Sequence, residues 1–369
     1  MYKRQELYTD KLIQYIGEHQ KDSKLKNNPF FAYAAYSAPH WPLQAPDHYI
    51  KKYEDNYHVG YRAIKSKRLE NMKKMGLVQE HLYPVESNLW PRWTQLDETT
   101  KLEEAKKMAV YAAMVEALDF HIGRLVNFLD KSDLLEDTII IFLSDNGAEG
   151  NDPSVILENA RWIPRNFNNS IENMGRADSH ISYGPRWAEV SATPFKNFKA
   201  FPSEGGIISP AFITYPKFKR QGMINNAFSS VMDIAPTLLD IANTTYPENI
   251  YKGIEIYPLK GKSMIDFLME RKNEIHSDQY VMGWELFNRG ALRQGIWKIV
   301  SIEKPNGNGE WSLYNLKEDP LEQNNLANIN KDKLEEMLML WNQYKKDNGV
   351  IIDEELDLGY SGSNNHFSK

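Results

Sequence analysis

Three short stretches of this chain carry residue types suited to chemistry. Ser144-Asp145-Asn146-Gly147 closes the apolar run Thr138-Ile139-Ile140-Ile141-Phe142-Leu143. Asp145 offers a carboxylate and Asn146 an amide oxygen, both hard donors suited to a hard divalent cation. The same residues also read as an Asx turn that finishes a strand. His40 lies in Ser37-Ala38-Pro39-His40-Trp41-Pro42-Leu43-Gln44-Ala45-Pro46. Prolines restrict the backbone on both sides, which pre-positions a loop residue with no helix beneath it; a packed or surface histidine is the plainer reading. Lys196 and Lys199 alternate with Phe195, Phe198 and Phe201 ahead of Glu204-Gly205-Gly206, and on their own they read as the solvated edge of a loop.

The elements that must hold these loops follow from apolar spacing. The β-branched run Thr138–Leu143 predicts a strand buried on both faces, of the parallel-sheet kind. Its carboxyl end is where open α/β sheets place ligands. Pro29–Tyr36 predicts a second strand, running into the His40 loop. Between them, Asp97–Asp130 has the pattern of a long amphipathic helix, with Thr99 or Thr100 as caps. Met108, Tyr111, Met114 or Val115, Leu118 and Ile122 fall on its apolar face. Strand, helix and strand in that order imply a βαβ unit. Helices are also expected over Leu7–His19, near Lys65–Lys74, and over Ser230–Ala242, where Asp233 caps and Pro236 sits in the first turn. A further buried strand is expected at Ala211–Tyr215. Gly150–Lys199 is long, Asn- and Arg-rich and without periodicity, as functional loops often are. Beyond the Tyr/Pro/Gly-rich connection Thr244–Gly261, Tyr280–Leu286, Gly290–Ile302 and Glu310–Asn315 read as antiparallel strands, with Asn306-Gly307-Asn308-Gly309 as the last hairpin turn. Lys331–Lys346 reads as a terminal amphipathic helix.

Taken together and in order, the His40 loop, the Ser-Asp-Asn-Gly strand end and the Lys199…Glu204-Gly205-Gly206 turn resemble the sulfatase family, and within it the bacterial arylsulfatases. Tyr111–Glu116 with Asp119 and Ile122-Gly123, Tyr183–Ala188, Met232–Thr237, Gly283–Phe287, Arg293–Lys298 and Leu313–Pro320 add weaker matches. The resemblance thus extends from about Leu7 to Leu326. It implies an α/β fold of the alkaline-phosphatase-like type, a mixed central sheet flanked by helices, with a smaller C-terminal antiparallel sheet plus helix. It also implies hydrolysis of sulfate monoesters by a calcium-assisted formylglycine mechanism. Asp145 and Asn146 would then be two of the calcium ligands, and Lys199 would contact a sulfate oxygen. His40 would hydrogen-bond the ester oxygen and support leaving-group protonation, a role that fits a group titrating near neutrality. Lys196 is a second choice for sulfate contact and reads more simply as surface charge. Trp41, Trp90 and Trp187 could wall an aromatic pocket, with core packing the simpler role for each. Ile208 stands where many relatives have arginine.

Family members also carry a paired-Asp metal segment and a Cys/Ser-x-Pro-Ser-Arg motif whose first residue becomes formylglycine. This chain has no cysteine, and none of its serines begins such a motif. The resemblance therefore implies the C-terminal part of a sulfatase, with the nucleophile outside it and the chain alone inactive. With a GTG start, Met1-Tyr2-Lys3-Arg4-Gln5 back-translates to a transposon-end sequencing adapter, so residues 1–5 are set apart. Residues 6–250 are then the remaining part of the catalytic domain, 251–348 a C-terminal subdomain and 349–369 a loose tail. Family resemblance points to a periplasmic or secreted location. Two other classes stay open: a phosphomonoester or phosphodiester hydrolase of the same superfamily, which the Asp145-Asn146 pairing speaks against, and a non-catalytic binding relative.

Composition bounds the rest. With 369 residues, 41% hydrophobic and 25% charged, the chain can bury a large core and is long for a single one. A net charge of −6 argues against phosphate-backbone binding, so no nucleic-acid partner is expected. No apolar run approaches the roughly 18 residues that span a bilayer, so no membrane partner is expected either. Zero Cys excludes disulfides without naming a compartment. The expected partners are small-molecule or saccharide sulfate esters, and a monomer is favoured.

Overall fold

The computed structural model describes residues 3–85, 89–155 and 157–352. Most of the expected tail, from residue 353 on, lies outside the described residues, as do residues 1 and 2.

The spine is the helix Glu98–Lys131, of 34 residues. It starts where Asp97 accepts a hydrogen bond from the Thr100 N–H at 2.9 Å. Asp97, rather than Thr99 or Thr100, is the cap: its short carboxylate reaches an N–H that the first turn leaves unpaired. Ala105, Met108, Ala109, Ala113, Met114 and Ala117 form its buried face, whereas Val115 is exposed. The alanines let neighbouring elements come close. The helix Lys3–Lys21 lies along it, with the buried Gln5 amide donating to the Met114 carbonyl at 3.1 Å. Helices Tyr61–Lys74 and Gly184–Ser191 pack together beside this spine. They enclose Trp187, which no solvent reaches. Its indole N–H donates to the Glu104 carbonyl at 3.0 Å, and its ring meets Tyr57, Tyr61 and Trp93 edge-on. Truncating such a side chain to alanine typically costs about 3–5 kcal/mol.

Strand β1 (Ile140–Leu143) pairs antiparallel with β2 (Ala211–Thr214), in register from Ile140 opposite Thr214 to Leu143 opposite Ala211. Phe142 and Phe212 stack across this pair at 5.2 Å. Two expectations change here. β1 is half-buried and β2 mostly exposed, because each has only the other as a ladder neighbour among the described residues. Pro29–Tyr36 joins no ladder. Its three alanines are weak strand formers, and its rings at Phe31 and Tyr33 face outward. The expected parallel βαβ unit is therefore absent from the described residues, although the α/β class and the separate C-terminal sheet stand.

The helix Ile234–Ile241 has Pro236 in its first turn. Asp233 does not cap it. Its carboxylate instead accepts from the Ser230 and Lys262 N–H groups and faces His276 at 2.9 Å. After the short hairpin β3 (Ile250–Tyr251) and β4 (Ile254–Glu255) comes an antiparallel four-stranded sheet. Its strands β5 (Val281–Leu286), β6 (Arg289–Gln294), β7 (Trp297–Ser301) and β8 (Trp311–Asn315) follow in spatial order. The stretch expected as one strand, Gly290–Ile302, is split between β6 and β7. Gly295, at φ 55°, makes the reversal in a conformation that costs glycine little. The helix Lys331–Asn348 covers one face, packing Met337 and Trp341 on Leu292, Ile299 and Leu313.

Candidate active site

Lys199 sits on a loop whose backbone is bent on both sides. Asn197 and Ala200 have φ of 61° and 75°, a left-handed conformation that costs a non-glycine residue roughly 1–2 kcal/mol. Surrounding bonds hold it there. The Asn197 amide donates to Ser203 Oγ at 3.0 Å, and the Ala200 carbonyl accepts from Arg289 Nη1 at 3.0 Å. The Lys199 N–H donates to the Ala148 carbonyl at 2.9 Å, which ties this loop to the one leaving β1. A second tie is the Gly147 N–H donating to the Gly206 carbonyl at 3.0 Å. A Cβ on Gly147 would stand 2.3 Å from the Gly205 carbonyl oxygen, so only glycine admits this approach.

His40 is fixed from the other side. Its loop is pinned where the Leu43 N–H donates to the Ile181 carbonyl and the Ala45 N–H to the Gly175 carbonyl, at 2.9 and 3.0 Å. His40 Nδ1 lies 2.8 Å from the Trp41 carbonyl. A carbonyl only accepts, so Nδ1 carries a hydrogen and Nε2 is the nitrogen turned to the site.

Nε2 meets Lys199 there. The Lys199 Nζ to His40 Nε2 distance is 3.5 Å across 159 positions of sequence. Between them stands a residue that the sequence did not single out. Glu149 Oε2 lies 2.7 Å from Lys199 Nζ and 3.4 Å from His40 Nε2, while Oε1 accepts the Asn151 N–H at 2.8 Å. The Glu149 side chain is only 9% exposed, against 41% for His40 and 25% for Lys199. Hydrogen bonding to Glu149 raises the His40 pKa above the ordinary histidine value, against the opposing effect of burial. Burial alone would raise Glu149, but its bonds from His40, Lys199 and the Asn151 N–H outweigh that and hold its carboxyl below the usual range.

Asp145 and Asn146 begin the loop that Glu149 continues. Four residues span at most roughly 14 Å, so the Asp145 Cα lies within that distance of the Glu149 Cα. The Asn146 amide nitrogen donates to the Gly147 carbonyl at 2.9 Å, a bond that does not use its Oδ1. The Asp145 residue is exposed. These two oxygens suit a hard cation but make only part of the six to eight that calcium takes. Among the described residues no group of three His, Cys, Asp or Glu side chains is arranged to hold a metal.

The remaining candidates sort by place. Lys196 is turned to the C-terminal sheet, donating to the Glu322 carbonyl at 2.5 Å and lying 4.9 Å over the Tyr314 ring, so it is not beside Lys199 Nζ. Trp90 and Trp187 are core residues. Trp41 is at the site, its ring 4.8 Å from that of His40. His180, another residue not singled out, lies 5.8 Å beyond Trp41 and is flanked by Trp162 and Phe167. Ile208 is exposed and touches none of these groups through a polar bond; its N–H donates to the Glu204 carbonyl.

Below the Gly-Gly turn, Lys298 of β7 is fully buried between Glu204 and Glu322, 2.5 and 2.9 Å from their carboxylates. Glu322 also accepts the Glu204 N–H at 3.0 Å. The C-terminal sheet thus anchors the turn that packs against Gly147.

Comparison with known proteins agrees with this architecture. The sulfatase family model matches residues 2–244, and the model described as N-sulphoglucosamine sulphohydrolase, C-terminal, matches residues 197–347. An uncharacterized sulfatase of Schizosaccharomyces pombe is 39% identical over 93% of this chain and 62% of its own length. The arylsulfatase of Klebsiella aerogenes is 35% identical over 65% of this chain and 51% of its own. The chain therefore spans between half and two thirds of the length of these relatives. Among solved structures, Ps i-CgsB superposes with a TM-score of 0.58 at 21% identity, covering 93% of this chain and 55% of that one. A structure in complex with its substrate D-glucosamine-2-N,6-O-disulfate gives a TM-score of 0.53 at 19% identity, over 95% and 71%. These likenesses establish the fold, and the sequence matches establish descent: the chain belongs to the sulfatase family.

Proposed function

We propose that this chain supplies the sulfate-binding and leaving-group side of a site that hydrolyses sulfate monoesters, of the arylsulfatase type. The observation that carries this reading is the meeting of Lys199 and His40 at 3.5 Å. Sulfuryl transfer resembles phosphoryl transfer in its loose transition state, so the protein's work is positioning and charge stabilisation. Lys199 has three ammonium hydrogens; it can keep Glu149 and still donate to a sulfuryl oxygen. His40, with Nδ1–H on Trp41, offers Nε2 to the ester oxygen. Glu149 favours the charged imidazole, the form that can give a proton to the departing alcohol or phenol. Asp145 and Asn146 would supply two oxygens to a calcium ion, whose charge would offset that of the sulfuryl oxygens. A formylglycine nucleophile would come from outside these residues, since the chain holds no cysteine and none of its serines begins the Ser-x-Pro-Ser-Arg motif. Trp41 beside His40 fits a phenolic or saccharide leaving group by stacking.

The test is hydrolysis of 4-nitrophenyl sulfate by the protein as its gene encodes it, produced with a formylglycine-generating enzyme. His40→Ala is expected to lower kcat by about 10²–10⁴, the usual worth of a general acid. Lys199→Ala is expected to lower it by about 10²–10³, the worth of one charge-stabilising donor. Undiminished turnover in either variant would remove that residue from the mechanism.

A further inference from the structure

We infer that Glu149 shifts the charge selectivity of this site toward singly charged sulfate esters and away from doubly charged phosphate esters. The inference rests on the sulfate-site reading above. Glu149 is poorly placed for solvation, with a side chain only 9% exposed. Both its oxygens are committed: Oε1 to the Asn151 N–H and Oε2 to Lys199, with His40 alongside. A carboxylate oriented in this way is a fixed negative charge inside an anion site, and a buried charge is screened less than an exposed one.

The consequence follows from ligand charge. Near pH 8 an aryl sulfate carries one negative charge and an aryl phosphate close to two, because the phosphate's second ionisation lies near pH 6. Coulomb energy is linear in each charge, so the Glu149 carboxylate repels the dianion about twice as strongly as the monoanion. The cations would do the reverse and favour the dianion. Glu149 offsets one unit of that positive charge, and the balance moves toward the monoanion. Lys199 need not leave Glu149 when an ester arrives, so the repelling charge stays in place during binding. The family reading assigns Lys199 and His40 to the ester, whereas Glu149 touches neither ester nor metal in that reading; it acts through these two and through its field.

Dissociation constants at pH 8 for 4-nitrophenyl sulfate and 4-nitrophenyl phosphate test the inference, measured by calorimetry on the protein as its gene encodes it, produced without a formylglycine-generating enzyme so that neither ester is turned over. Glu149→Gln keeps the size and the acceptor for the Asn151 N–H, removes the charge, and replaces the oxygen that faces Lys199 with an amide NH2. It is expected to shift the sulfate-to-phosphate preference toward phosphate by about tenfold or more, a size set by one unit charge at hydrogen-bond range. Glu149→Asp, which keeps the charge, is expected to stay near the wild-type ratio. A folded Glu149→Gln protein with a ratio within about twofold of wild type, too small for a unit charge at this range, would overturn the inference and leave the sulfate site standing. A wild type that binds neither ester would overturn the sulfate-site reading and the inference with it. Should Glu149→Gln not fold, Glu149→Ala removes the same charge and gives the same comparison. Methyl 4-nitrophenyl phosphate is a singly charged phosphate and is expected to respond to Glu149→Gln as the sulfate does; a gain in binding as large as that of the doubly charged monoester would equally overturn the charge argument.

Discussion

Lys298 Nζ, shielded entirely from solvent, lies 2.5 Å from Glu204 Oε1. This contact crosses from the C-terminal sheet to the turn on which the candidate site rests. Glu204 opens the Gly205-Gly206 turn, Gly206 binds the Gly147 backbone, and Gly147 leads into Ala148 and Glu149. Burial acts to pull the Lys298 pKa down, but Glu204 and Glu322 outweigh it and hold the ammonium charged.

Removing one partner of such a group is costly, because the charges left behind are buried and uncompensated. Lys298→Met is therefore expected to destabilise the fold by about 3–5 kcal/mol, measured as a lower urea midpoint. A loss below about 1 kcal/mol, the scale of a surface pair, would show that the three charges are not coupled as drawn.

His40 and Glu149 give the site a pH dependence of known sign. The histidine's folded pKa is raised, so its contribution is fully present below its ordinary value of 6.5 and is lost as pH rises through the folded pKa. The glutamate's folded pKa is lowered, so its contribution is present above its ordinary 4.5 and is lost as pH falls through the folded pKa. The pair therefore stabilises most fully between those two ordinary values. An NMR titration of the His40 ring is expected to give a pKa above 6.5 in the wild type and a lower one in Glu149→Gln. A value at or below 6.5 in the wild type would contradict the contact.

For Asp145, the expectation concerns calcium. Removing a charged oxygen ligand leaves the dication undercompensated, so Asp145→Ala in the protein as its gene encodes it is expected to lose calcium binding and sulfatase activity together. Calorimetric calcium binding equal to wild type in that variant would take Asp145 out of the metal site.

The sequence made some of this legible and hid the rest for identifiable reasons. His40 and Lys199 stood out because local features mark them: prolines around one, and a Glu-Gly-Gly turn after the other. The long helix was readable from its 3.6-residue period, although its cap was Asp97, two residues before the first threonine. Glu149 gave no local sign, since its meaning depends on two partners remote in sequence. Lys298 was hidden for the opposite reason: a lysine beside Ile299 in a strand looks solvent-facing, and only the approach of Glu204 and Glu322 allows its burial. Pro29–Tyr36 looked like a strand because apolar residues in a row satisfy the pattern, but a pattern does not supply ladder partners. Asp145 and Asn146 were singled out for their donor chemistry, and their place beside Glu149 on one loop follows from the chain itself.

In the proposed site Lys199 and His40 together receive the sulfate ester. The most direct measurement is a crystal structure of the protein with bound 4-nitrophenyl sulfate. A sulfuryl oxygen is expected within about 3.2 Å of Lys199 Nζ and the ester oxygen within similar reach of His40 Nε2, the range of a normal hydrogen bond. An ester bound elsewhere, with Lys199 and His40 still facing only Glu149, would contradict it.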